Sequence, residues 1–132
     1  MTLNVETGSR RSAVDLTPQV ARFAAARSDG LLCVFVPHST AGLAIIETGS
    51  GSEDDLLTLL DKLVPRDDAR YRHRHGAPGH GADHVIPALV SPSVTIPVLA
   101  GRMQLGTWQA IVLVDPNVDN TVRQIHVSFL AG

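Results

Sequence analysis

The chain predicts an α+β fold: a mainly antiparallel two-sheet β-sandwich with two main helices and a short third helix, in one domain spanning 1–132. Three observations predict it. Short apolar runs bounded by Gly, Pro and Asn recur along the sequence and crowd its C-terminal third, as strands of antiparallel sheets do. Two longer segments carry apolar residues at helical spacing and stand apart from that final run of strands, which favours helices laid on one side of the sheets. With 132 residues, 44% of them hydrophobic and 18% charged, the chain is large and apolar enough for a single core.

Each element follows from local signals. Met1–Glu6 alternates weakly and reads as an edge strand, with a turn at Gly8–Arg11. Thr17 as N-cap and Pro18 in the first helical position open a helix reaching about Arg27, with Val20, Phe23 and Ala24 on its apolar face. Ser28-Asp29-Gly30 stops it. Leu31–Val36 is continuous and apolar, a strand buried on both faces, with Cys33 inside it as a small buried hydrophobe. Ala44–Ile46 extends a second strand after a small-residue turn. Ser52 and the acids Glu53, Asp54 and Asp55 precede a helix whose Leu56, Leu59, Leu60 and Leu63 share a face, ended by Pro65. Asp83–Val90 predicts the short helix. Val94–Val98, Met103–Leu105, Trp108–Val114 and Val122–Leu130 are strands, the last two forming a hairpin over Asp115–Asn120.

Composition excludes several classes of function. A net charge of −2 without a clustered basic patch argues against a nucleic-acid surface. No apolar run approaches the roughly 20 residues of a membrane span, and no signal-like apolar segment follows Met1, so a cytoplasmic protein is expected. The single cysteine cannot form an internal disulfide.

Chemistry concentrates in histidine. Four of the six histidines, His73, His75, His80 and His84, lie in one stretch, and His38 follows the Leu31–Val36 strand. Imidazole is a metal ligand and titrates near neutral pH, so this density points to a metal or proton-transfer site. The stretch from Pro65 to Ala82 is polar and longer than the roughly 12–15 residues usual for structureless loops, which leaves a mobile, solvated loop as the other reading. In the last strand Arg123 shares a face with Ile125 and Val127, so it lies at the strand's open end or points into a polar pocket; His126 faces the other way and reads as structural.

Ser93–Gln109 (SVTIPVLAGRMQLGTWQ) resembles the signature of the YjbQ-like family, proteins known as secondary thiamine-phosphate synthases. Asp15-Leu16-Thr17, His38–Leu43 continuing to Glu47, Tyr71-x-His73, His84 and Arg123 follow in the family's order. The chain departs from the family at Thr48-Gly49-Ser50, at Asp55, at His80 where an asparagine is common, and at Leu89-Val90-Ser91. The resemblance implies a homotrimer with pockets near subunit boundaries. It also implies one pocket gathering His38, Glu47, His73, His84, Trp108, Gln109 and Arg123. His38, His73 and His84 would supply the three ligands that a catalytic metal needs, with zinc expected from ligand type and magnesium as the alternative for a diphosphate. His75 and His80 have weaker claims, as loop residues. Glu47 would be a general base or hold a histidine, Gln109 and Arg123 would bind a phosphate or carboxylate, and Thr40, Thr107 and Trp108 would contact substrate. The implied activity joins a pyrimidine methyl diphosphate to a thiazole phosphate and releases diphosphate. A metal-assisted hydrolase of a phosphorylated small molecule, with Glu47 as base, and a trimeric metal- or metabolite-binding protein are the alternatives.

Overall fold

Eight strands sort into two antiparallel sheets in the computed structural model, which describes residues 1–132. Strands β1 (Thr2–Glu6), β3 (Gly30–Phe35), β5 (Ser93–Leu99), β6 (Arg102–Met103) and β8 (Val122–Ala131) form one sheet in the order β1-β8-β3-β5-β6. Strands β2 (Ser12–Asp15), β4 (Gly42–Ile46) and β7 (Ala110–Asp115) form the other, in the order β2-β7-β4. Helix α1 (Thr17–Ala24), helix α2 (Ser52–Leu63) and the single turn α3 (His80–Asp83) complete the fold, with short 3-10 turns at Asp68–Arg70 and Ile86–Ala88.

Side-chain alternation builds the layers. Ile111 and Leu113 of β7 face the larger sheet and meet Leu32, Val34, Ile96, Ile125 and Val127 in the main core, which Val20 and Ala24 of α1 join. The intervening residues Ala110, Val112 and Val114 point the other way, into a second core with Leu60 and Val64 of α2, Ala82 of α3 and Ile86. Every residue of β7 is therefore buried. The helices α2 and α3 lie on the smaller sheet, and the outer face of the larger sheet carries Leu31, Phe35, Leu99 and Leu130 in the open.

Several sequence expectations need correction. β7 and β8 are not a hairpin: β7 pairs with β2 and β4, while β8 pairs with β1 and β3. Residues 116–121 cross the gap between sheets, because both strands send side chains into it from opposite walls. β3 is buried on its inward face alone; Leu31 and Phe35 are exposed and Cys33 is half-buried. Thr17 does not cap α1. Its amide donates to Asp15 Oδ1 at 2.8 Å, and its hydroxyl accepts the Ile111 amide at 2.9 Å, which ties the helix start to β7. Leu59 and Leu63 of α2 are exposed, leaving Leu60 with Leu56, Leu57 and Val64 to dock the helix. The short third helix starts at His80 rather than Asp83.

Candidate metal centre

The polar stretch after α2 is held by its own side chains. The Tyr71 hydroxyl donates to the Pro65 carbonyl at 2.6 Å while its ring packs against the second core. Asp67 accepts the Ala69 amide and caps the Asp68–Arg70 turn. Both carboxylate oxygens of Asp68 accept the Gly79 amide at 3.1 Å, closing the segment on itself. Two glycines permit the fold-back. Gly76 has φ +83°, and a Cβ there would stand 2.6 Å from the His80 ring; at Gly81 a Cβ would stand 2.9 Å from Tyr71 Cβ.

That compaction brings four imidazoles together. One ligating nitrogen from each of His73, His75, His80 and His84 lies within 4.8 Å of all the others. His80 and His84 sit four residues apart on α3 and its C-terminal end, so their rings share a face, with Nε2 atoms 2.8 Å apart. Two ligands of a tetrahedral zinc, each about 2.05 Å from it, stand roughly 3.3 Å apart, so a small ring rotation admits the ion. The His73 Nε2 is buried without any hydrogen-bond partner. A buried nitrogen of that kind costs stability unless a ligand completes it.

Charge state agrees with a ligand role. Burial, reinforced by neighbouring imidazoles, lowers the pKa of His73 and His84, so both are neutral at pH 7. His80 Nδ1 meets Asp119 Oδ2 at 2.7 Å, the carboxylate contact that fixes a ligating histidine's tautomer and frees Nε2. Burial raises the Asp119 pKa, but hydrogen bonds from the Ala77 amide, His80 and Asn117 outweigh it and keep the carboxylate ionised. Behind this contact Asn117 donates to the buried Asp83 at 3.0 Å, and Asp83 is ion-paired with Arg66.

Arg123 and His38 belong to a neighbouring cluster. Arg123 is buried on the inward face of β8, where Nε and Nη2 each meet an Asp115 carboxylate oxygen at 2.8 Å. Nη2 also donates to the Thr40 hydroxyl at 3.0 Å and to Asn117 Oδ1 at 3.4 Å. His38 Nε2 accepts the Gln124 amide at 3.0 Å, and burial followed by the Arg123 charge lowers its pKa. Asn117 thus joins the two clusters, but His38 is not one of the four convergent histidines.

The remaining predicted site residues lie at the opposite end of β7. Thr107 and Trp108 are exposed in a turn, the indole by 73%. The Gln109 side chain closes that turn by accepting the Gly106 amide at 2.8 Å. Glu47 is exposed just beyond β4, and the register that pairs Ile46 with Ala110 puts it next to Gln109. At about 3.4 Å per residue, β7 separates this end from Asp115 by roughly 17 Å. A single chain therefore does not bring the seven expected residues into one pocket. Sequence reasoning undervalued His75 and His80, and missed Asp119, Asn117, Asp83 and Arg66. The i, i+4 spacing of His80 and His84 was the available signal.

Comparison with known proteins places the chain. It is 60% identical to a UPF0047 protein of Mycobacterium tuberculosis over 130 residues, covering 98% of this chain and 96% of the relative. A UPF0047 protein of Archaeoglobus fulgidus is 36% identical over 126 residues, covering 95% and 97%. Among solved structures, a hypothetical protein from Aeropyrum pernix superposes with a TM-score of 0.90 at 27% identity, over 100% of this chain and 98% of that one. The sequence model of the UPF0047 protein YjbQ-like family matches residues 1–132, and the chain belongs to that family.

Proposed function

We propose that this chain is a cytoplasmic metal-dependent enzyme resembling secondary thiamine-phosphate synthases, joining a pyrimidine methyl diphosphate to a thiazole phosphate. The observation that carries the metal half is the histidine quartet with its orphaned, buried His73 Nε2. Neutral imidazoles and a carboxylate behind one of them fit a divalent ion, and nitrogen ligands favour zinc over magnesium. His73, His80 and His84 are the ligands we assign, with His75 beside them; His38, expected among them from the family resemblance, instead flanks Arg123. When bound, such an ion supplies positive charge to a departing diphosphate. The exposed Trp108 indole offers a flat surface for a pyrimidine, and Glu47 beside Gln109 offers a base.

These residues lie at the end of β7 away from Asp115, roughly 17 Å along the strand, so the reading depends on assembly, with a neighbouring copy completing each site. The uncovered apolar residues Leu31, Phe35, Leu99 and Leu130 support the homotrimer that the family resemblance implies. One observation favours a second reading. Four nitrogens converge rather than three, and a closed four-ligand centre is structural, which fits a trimeric metal-binding protein without turnover.

Thiamine-phosphate formation from the two phosphorylated precursors, measured with zinc content, tests the proposal. Wild type is expected to hold one zinc per chain and form product; His84→Ala is expected to lose both. Equal rates in the two proteins remove the quartet from the chemistry. Stoichiometric zinc without product leaves the binding-protein reading.

A further inference from the structure

A cleft of about 260 Å³ opens beside the quartet, walled by Asp68 and the segment from His73 to Pro78. His73 and His75 belong to both, so the cleft borders the quartet. The carboxylates nearby are already engaged. Asp68 accepts the Gly79 amide, Asp119 faces His80 and the Ala77 amide, and Asp83 pairs with Arg66 and Asn117. Arg74, in the wall of the cleft between the two histidines, takes part in none of the chain's ion pairs. A divalent ion next to this free guanidinium brings three positive charges to a site whose uncompensated carboxylates, Asp68 and Asp119, number two.

The four histidines are also held unequally. His80 is buried and anchored by Asp119; His84 faces it at 2.8 Å; His73 has its Nε2 buried. His75 is exposed, its ring meets the other three imidazoles, and the left-handed Gly76 follows it. Neither His73 nor His75 makes a side-chain hydrogen bond, but His73 has a buried ring nitrogen whereas His75 is exposed, so His75 is the member freest to swing away.

We infer that the cleft takes a small phosphate or phosphomonoester dianion, which pairs with Arg74 and takes the place of His75 in the quartet. His73, His80 and His84 then remain as the permanent ligands. The inference rests on the metal reading above. The exchange replaces one metal–nitrogen contact by one metal–oxygen contact, and the planar guanidinium fork matches two phosphate oxygens.

Inorganic phosphate titrated calorimetrically into zinc-loaded protein tests this, with zinc content measured for every variant. Arg74 and His75 are exposed, so neither substitution threatens the fold. Arg74→Ala is expected to weaken phosphate binding about 10-fold or more, as loss of a charge-assisted pair does, while Arg72→Ala, outside the cleft, leaves it unchanged. His75→Ala is expected to keep one zinc per chain and to bind phosphate more tightly than wild type, because no histidine has to be displaced. Wild-type affinity in Arg74→Ala, an equal loss in Arg72→Ala, or loss of zinc in His75→Ala overturns the inference. A wild type that takes up no zinc overturns the metal reading and the exchange at His75 together, and phosphate titrated into that metal-free protein still decides the role of Arg74.

Discussion

An arginine facing inward between two sheets has to find its counter-charge there, and Arg123 finds it in Asp115, across the gap on the last residue of β7. The pair spends the guanidinium fork on the protein itself, so its first contribution is to the fold. Arg123→Lys keeps the charge but loses the two-point contact with Asp115. We expect a destabilisation of about 3 kcal/mol by denaturant unfolding, near the low end for breaking a buried pair, with zinc content unchanged. Loss of zinc from a still-folded Arg123→Lys would tie it to the metal instead. At His38 the lowered pKa gives a pH prediction. The folded state holds the ring neutral while the unfolded chain titrates near 6.5, so the stability it contributes is complete above that pH and lost as pH falls below it. Metal-free protein should therefore melt at lower temperature at pH 5.5 than at 7.5, and His38→Gln, which retains an acceptor for the Gln124 amide, should narrow that difference. An undiminished difference would assign the acid sensitivity elsewhere. Asp119→Asn keeps the shape of the His80 contact and removes its charge. Zinc affinity, measured by competition with a chelator, should drop about 10–100-fold with no change in secondary structure; unaltered affinity would show that the contact is structural only.

Among the elements, what the sequence reveals depends on whether the signal is local. Strands β1, β4, β5 and β8 and both main helices carry their own periodicity and stops, and they appear close to where these put them. Helix α1 nevertheless ends at Ala24, short of Arg27, and neither helix has a side-chain cap. β2 does not announce itself: Ser12–Asp15 is short and polar at both ends, and it is a strand because β7 needs a partner on that side. The β7–β8 connection misleads because chain neighbours usually pair, whereas these two face each other across the core. The site shows the same division. His73 and His84 are legible from motif spacing, but the fold-back of residues 71–79 that recruits His75 is a tertiary event, governed by Asp68, Tyr71 and Gly76. Gly81 tests the packing of α3. A methyl there meets Tyr71 Cβ at 2.9 Å and the His73 carbonyl oxygen at 3.1 Å, so Gly81→Ala should cost about 1–3 kcal/mol by overpacking and weaken zinc binding as α3 shifts. A variant with wild-type melting temperature and zinc affinity would show that the loop yields instead.

At the scale of the molecule, the layers are unequally covered. The smaller sheet is sandwiched, whereas the larger sheet leaves one face to solvent with Leu31, Phe35, Leu99 and Leu130 exposed. Light scattering should give a mass near three times 14.0 kDa, and Leu31→Lys with Phe35→Glu should return it toward a single chain; a wild-type mass of one chain would leave that face without a partner copy. The quartet, by contrast, belongs to the thin layer of α3 and its flanking turns, docked through the smaller second core and tied down by side-chain hydrogen bonds. Weakly docked layers open at free energies well below that of global unfolding. Ion uptake and release can then proceed by brief detachment of this flap from an intact sandwich. In hydrogen exchange, amides between 65 and 90 should trade early in the apo protein and slow on adding zinc, while those of β3, β7 and β8 keep one slow rate in both forms.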